Sequence, residues 1–163
     1  PAVVRHLFVL ARRHRKLVLV DPNAKSSAAL YEGAGLLTPN TKEAEALAGV
    51  RITDESSLAK AGTIILKKTR APRLVITRGK DGMALFERGR RGFRAIPTYA
   101  REVYDVSGAG DTVIATLALA LGVDADIEDA ARLANLAAAI EVGKRGTATV
   151  SLAELRESLV SWA

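Results

Sequence analysis

The chain has 163 residues, 48% of them hydrophobic and 26% charged, which is enough to bury a core and fits one domain. It contains no cysteine, which excludes a disulfide framework, a thiolate metal site and a cysteine nucleophile and fits the cytoplasm. Aromatic residues make up only 4%, which argues against base-stacking on nucleic acid, while a formal charge of +6 suits a phosphorylated small molecule as well as it would nucleic acid. Basic residues form short scattered clusters, Arg12-Arg13-His14-Arg15-Lys16, Lys67-Lys68-Thr69-Arg70 and Arg88 to Arg94, which read as solvated faces. The longest uncharged apolar run, Thr112 to Val123, is too short to span a bilayer, so no membrane partner is expected. The chain opens on Pro1-Ala-Val-Val, with neither an initiator methionine nor a secretory signal, and is expected to be cut from something longer.

Val3, Val4, Leu7, Phe8, Leu10 and Ala11 recur at helical spacing. Leu17–Val20 is a short apolar strand ending at Asp21-Pro22-Asn23, and Gly35–Thr38 is a second, stopped by Pro39-Asn40. Glu43–Ala48 reads as a helix closed by Gly49, and another runs from about Asp54 to Thr69. Leu74–Thr77 is a third strand, followed by the turn-rich stretch Arg78 to Gly82. Met83–Glu87 and Gly92–Ile96 read as an antiparallel hairpin. Val103–Val106 is a last strand feeding a glycine loop, and the helices Ala109–Leu121, Ile127–Val142 and Leu152–Trp162 follow. Ser151-Leu-Ala-Glu154 is a capping box for the last of these. Apolar strands alternating with helices imply an α/β fold with a mostly parallel sheet covered on both faces. There is no repeat or interdomain linker.

Ser107-Gly108-Ala109-Gly110-Asp111 lies between a strand and an apolar helix. Glycines there let the chain turn tightly, and the helix start adds unpaired amides and a partial positive charge, which together suit an anion. A Walker A loop is absent, and a dinucleotide loop would need a glycine at position 113, where this chain has Val113. What remains is an anion hole ending in a carboxylate, or a glycine turn whose Asp111 complements the helix dipole. The loop alone favours the second reading, since Asp is common at a helix start.

With its preceding residues, Glu102-Val-Tyr-Asp-Val-Ser-Gly-Ala-Gly-Asp111 resembles the C-terminal signature of the ribokinase-like (PfkB) carbohydrate kinases. Thr38-Pro-Asn-Thr-Lys-Glu43, Val75-Ile-Thr-Arg-Gly79, Ala134-Asn135-Leu-Ala-Ala and Val142-Gly-Lys-Arg-Gly-Thr-Ala-Thr-Val-Ser151 match in order. The last of these, with Val103-Tyr104, is most similar to kinases of D-glycero-β-D-manno-heptose 7-phosphate, which serve lipopolysaccharide precursor synthesis. The resemblance implies the C-terminal, nucleotide-binding portion of a three-layer α/β/α kinase domain over residues 1–163, with a sugar phosphate and ATP as substrates. A homodimer is expected, with no nucleic-acid partner, because the basic clusters lack interleaved aromatics and a recognisable motif.

Carried over by position, Asp111 matches the catalytic base, and Gly108, Ala109 and Gly110 match the anion hole for the transferring phosphoryl group. Asn40 and Glu43 match the Asn-x-x-Glu motif linked to Mg²⁺ and the triphosphate, with Glu43 acting on the metal through water. Asn followed three residues later by Glu is equally a capping box, and both roles fit the same residues. Thr77 and Gly79 match a loop along the nucleotide, with Gly82 permitting its turn, and Asn135 matches a position near adenine. Asn135 reads equally as a packing contact. Asp105 and Ser107, with carbonyls near Gly146, match a monovalent-cation site, for K⁺. Asp21-Pro-Asn-Ala-Lys25 departs from the heptose kinase pattern and resembles fructokinase-like members. Family members are roughly twice as long, and their N-terminal sugar-binding and lid portion has no counterpart here. The chain by itself is therefore expected to phosphorylate sugar poorly or not at all. The alternatives are another sugar kinase of the family, of the fructokinase or ribokinase kind, and a non-catalytic binding module.

Overall fold

Apolar side chains at helical spacing form α1 (Ala2–Arg13), whose last turn sets Arg12 and Arg13 at the negative end of the helix dipole. The computed structural model describes residues 2–100, 104–146 and 148–162. They form two compact units, one running to Arg78 and including Ala84–Ala95, the other comprising Gly79–Met83 and the chain from Ile96 onward.

In the first unit, β1 (Leu19–Val20), β2 (Leu36–Leu37) and β3 (Arg73–Thr77) are short and apolar. They pair in parallel, with Leu19 opposite Leu36 and Leu36 opposite Arg73. β4 (Met83–Glu87) and β5 (Arg94–Ile96) complete a five-stranded sheet in the order β1-β2-β3-β4-β5. The connections from β3 to β4 and from β4 to β5 are too short for a parallel crossover, so this side of the sheet is antiparallel. α2 (Thr41–Ala48) and α3 (Glu55–Thr69) start at the side-chain caps Asn40 and Asp54. Leu37, Leu58, Ile65, Leu74, Ile76 and Phe86 form the centre of the core, each stabilising the fold by roughly 1.5–3 kcal/mol on burial. Gly62 of α3 lies flat on Phe86, where an added Cβ would come within 2.2 Å of the ring.

The second unit is built on α4 (Ala109–Gly122), α5 (Ile127–Val142) and α6 (Leu152–Trp162). α4 buries Val113, Leu117, Ala120 and Leu121, and α5 buries Ile127, Ala130, Ala131, Ala134 and Ala137. Alanines on the contact face allow close approach of the helix axes. Gly82 has φ +75°, and a Cβ there would stand 2.0 Å from the Ile96 carbonyl oxygen. Only glycine fits that backbone crossing.

Most expected elements form with their ends shifted by a residue or two, and the first two strands are shorter than their apolar runs. The exception is the strand expected over Val103–Val106. Val103 and Glu102 lie outside the described residues, and Tyr104–Val106 is not strand. The Tyr104 and Asp105 amides donate to the Val142 carbonyl at 2.8 and 3.4 Å, so a helix end takes the bonds a neighbouring strand would have taken. No helix among the described residues is long and apolar enough to cross a membrane.

Candidate functional site

In the first unit, Asn40 and Glu43 form a reciprocal capping box at the start of α2. Asn40 Oδ1 accepts from the Glu43 amide at 3.0 Å, and Glu43 Oε2 accepts from the Asn40 amide at 2.9 Å. Thr77, the last residue of β3, pairs with Asn40 in a parallel bridge. Its amide donates to the Pro39 carbonyl at 3.0 Å, and its carbonyl accepts from Thr41 Oγ1 at 3.3 Å. Three residues singled out from two separate motifs thus meet at the carboxyl ends of two adjacent parallel strands. In open α/β sheets this is where ligands bind. Asn40 is exposed and Glu43 half-buried, so one carboxylate oxygen is left for a further partner while the other holds the cap.

In the second unit, Gly108 is the N-cap of α4, in left-handed backbone at φ +97°, with no side chain capping the helix. The Ala109 amide donates to the Val106 carbonyl at 3.3 Å. Gly110 and Asp111 occupy the first turn, where amides have no acceptor within the helix. Both residues are exposed. An anion approaching the helix start would meet these amides and the positive end of the dipole, so the local backbone fits a phosphate. Asp111 projects from the same turn as the only acidic residue there. Gly79 has φ +58° and opens the short helical turn Gly79–Asp81, with open space where a Cβ would stand.

Asp105 folds back on its own loop, Oδ1 accepting from the Ser107 amide at 2.9 Å. That amide first, and the Ser107 hydroxyl next, hold the Asp105 carboxyl below the usual carboxylate range. The hydrogen bonds of Tyr104 and Asp105 to Val142 tie this loop to the end of α5. The Asp105 carboxylate and the Ser107 hydroxyl are oxygen donors of the kind a hard cation takes. No group of three or more His, Cys, Asp or Glu side chains able to hold a metal occurs among the described residues. A Mg²⁺ ion would therefore depend on nucleotide phosphates and water for most of its ligands.

Asn135 is 5% exposed, and its Nδ2 donates to the Pro97 carbonyl at 2.6 Å. Its side chain braces α5 against the segment leaving β5, the packing contact that the sequence also allowed.

The residue that sequence reasoning passed over is Glu141. It is fully buried, and neither carboxyl oxygen has a hydrogen-bond partner among the described residues. Burial pushes its carboxyl above the ordinary value, and the charge of Asp105 acts the same way; the nearby Ala148 amide and Lys144 charge only partly oppose them. Helical spacing carried the signal, since Ala134, Ala137 and Glu141 lie on one face.

Residues 1–154 match the sequence profile of the pfkB family carbohydrate kinases. The chain is 50% identical over 159 residues to the bifunctional protein HldE of Geobacter sulfurreducens, covering 98% of this chain and 32% of that protein. It spans about a third of the length of the curated relatives it matches. Among solved structures, it is similar to Arabidopsis thaliana ribokinase complexed with ribose and ATP, with a TM-score of 0.87 and 22% identity, covering 96% of this chain and 52% of that one. Phosphofructokinase-2 from Escherichia coli in complex with potassium gives a TM-score of 0.82 at 21% identity, covering 97% and 52%. At these identities the likeness shows the fold, which is ribokinase-like α/β.

Proposed function

The chain belongs to the pfkB family of carbohydrate kinases, and on that premise we propose that it serves ATP-dependent phosphoryl transfer to a sugar hydroxyl. The acceptor is D-glycero-β-D-manno-heptose 7-phosphate, giving the 1,7-bisphosphate for ADP-heptose and lipopolysaccharide precursor synthesis. The chain corresponds to the C-terminal, nucleotide-binding part of the kinase domain, acting in the cytoplasm as a homodimer. The observation that carries the reading is the uncapped start of α4, where exposed first-turn amides and the Asp111 carboxylate share one turn. The heptose substrate rests on the resemblance of Val142–Ser151 and Val103-Tyr104 to the heptose kinases, with 50% identity to HldE beside it.

ATP, with Mg²⁺, supplies the transferable phosphoryl group. Asp111 orients the sugar hydroxyl and takes its proton, a role worth about 10²–10⁴-fold in rate. The backbone of Gly108, Ala109 and Gly110 offers amide dipoles to the charge on the moving phosphoryl oxygens. Glu43, through the oxygen its cap leaves over, would hold Mg²⁺ by way of water, and Asn40 fixes that carboxylate. Thr77 and Gly79 line the nucleotide through backbone that β3 and its following turn hold in place. Asn135 acts at the adenine end by positioning the Pro97 segment. Asp105 and Ser107 would hold K⁺ beside the loop leading into Gly108.

Fructokinase-like activity is the second reading, favoured by Asp21-Pro-Asn-Ala-Lys25, where Asn23 Oδ1 accepts from the Lys25 amide and the Asn23 amide donates to the Tyr31 hydroxyl. ADP release by the whole protein, measured against heptose 7-phosphate, fructose and ribose, separates the two. The heptose should give the highest kcat/KM by about tenfold or more, a transition-state preference of about 1.4 kcal/mol. Turnover of fructose without turnover of the heptose would overturn the substrate assignment.

A further inference from the structure

The basic clusters Lys67 to Arg70 and Arg88 to Arg94 have no task in the phosphoryl transfer described above. Lys67 belongs to the last turn of α3, and Arg88 to Phe93 connect β4 to β5. The fold brings them to the two sides of one pocket of about 250 Å³, within the first unit. Beneath it lie Leu66 and Phe86, both buried. At its rim Lys67, Arg88 and Arg90 are exposed, against the acid Glu87. Glu87 is already engaged: Arg94 Nη2 donates to its Oε1 at 2.6 Å, and Arg90 approaches the same oxygen only to 3.4 Å. Lys67 and Arg88 have no side-chain partner among the described residues. Like charges gathered around one hollow repel each other, a cost that a bound anion removes.

The backbone sets this pocket apart from the residues read as lining the nucleotide. The Arg88 amide donates to the Pro72 carbonyl at 2.9 Å, just before the first residue of β3, whereas Thr77 is the last residue of that strand. At the ordinary rise of a strand the two ends stand about 16 Å apart. The volume falls below the roughly 300–1,000 Å³ of pockets for drug-sized ligands, which suits a small molecule rather than a peptide. Guanidinium and ammonium groups suit phosphate oxygens, and the apolar base suits carbon. We propose that this pocket binds a small phosphate monoester, its phosphate held by Lys67, Arg88 and Arg90 and its carbon body resting on Leu66 and Phe86. It is a second anion site, at the opposite end of β3 from Thr77.

The test is a titration of the isotope-labelled full chain, followed by amide chemical shifts, with phenyl phosphate, inorganic phosphate and a glutamate-rich peptide. Phenyl phosphate should shift the amides of Lys67 and of Arg88 to Gly92, whatever it does at Gly108 to Asp111. It should bind there more tightly than inorganic phosphate by about tenfold or more, as burial of part of a ring implies. Lys67→Gln and Arg88→Gln should each weaken it by about tenfold or more, the loss of a hydrogen bond between charged groups. Both side chains are exposed, so the Tm of either variant should match that of the unaltered chain. Equal affinity for inorganic phosphate and the ester would overturn the ester assignment. Shifts confined to Gly108 to Asp111, or full affinity in both variants, would overturn the site itself. Tighter binding of the glutamate-rich peptide than of phenyl phosphate would overturn the small-molecule reading and make the pocket a docking surface for an acidic chain.

Discussion

Glu43→Gln separates the two tasks that converge on Asn40-Thr-Lys-Glu43. In the folded chain Glu43 Oε2 accepts from the Asn40 amide at 2.9 Å. A glutamine side-chain oxygen accepts the same bond, since Gln serves in a capping box as Glu does. What the substitution removes is the only acidic charge in the first turn of α2, worth about 0.3–1 kcal/mol at an exposed helix start. Urea denaturation should therefore show a loss of no more than about 1 kcal/mol. Asn40→Ala, which abolishes the cap, should cost about 0.5–2 kcal/mol, and Asn40→Ser, which keeps a capping oxygen, should cost less. Activity should part company with stability. An interaction between a carboxylate and metal-bound water falls in the range of about 1.5–3 kcal/mol for hydrogen bonds to charged groups. Glu43→Gln should then lower kcat/KM at limiting Mg²⁺ by about tenfold to a hundredfold. An unchanged Mg²⁺ dependence in this variant would refute the reasoning and leave Glu43 as a helix cap alone.

Gly82→Ala introduces a Cβ 2.0 Å from the Ile96 carbonyl oxygen at φ +75°. Left-handed strain and overpacking together should cost about 2–5 kcal/mol in urea denaturation, and a loss below about 1 kcal/mol would contradict the close backbone crossing. Asn135→Ala strips the Pro97 carbonyl of its partner at 2.6 Å, and should destabilise by about 1–3 kcal/mol. A rise in the KM for ATP larger than that loss explains would support action at the adenine end, whereas an unchanged KM would leave Asn135 as a brace. Glu154 is held down to about 2, first by Lys144 and then by the Ser151 amide. Because its folded value is depressed, its support for α6 is complete above about 4.5 and is lost as pH falls from there towards 2. Far-UV circular dichroism should show α6 fraying across that window, and Glu154→Gln should flatten the response.

Elements whose ends carry their own chemistry were legible in the sequence. Asp54, Ser151-Leu-Ala-Glu154 and Gly49 mark helix ends that the chain realises through local hydrogen bonds. The strand expected over Val103–Val106 was not legible, because β-branched residues before a glycine loop look the same whether a strand or a helix end receives their amides. Here the Val142 carbonyl does so, from nearly forty positions away in the chain. The meeting of Asn40 with Thr77 depends on the parallel register of β2 and β3, which neither motif encodes alone. Asn135 and Glu141 show the limit most clearly. Both lie on the buried face of α5, yet periodicity shows only that they are inside; one proves to donate to Pro97 and the other to lack a partner among the described residues.

Turnover of Asp111→Asn in the whole protein is the most direct measurement. Asparagine keeps the size and polarity of the side chain in the first turn of α4, where Asp111 is exposed, so ATP binding and Tm should change little. As the base that accepts the hydroxyl proton, Asp111 should be missed by about 10²–10⁴-fold in kcat. An Asp111→Asn protein turning over at the unaltered rate would return Asp111 to the role of a carboxylate at a helix start.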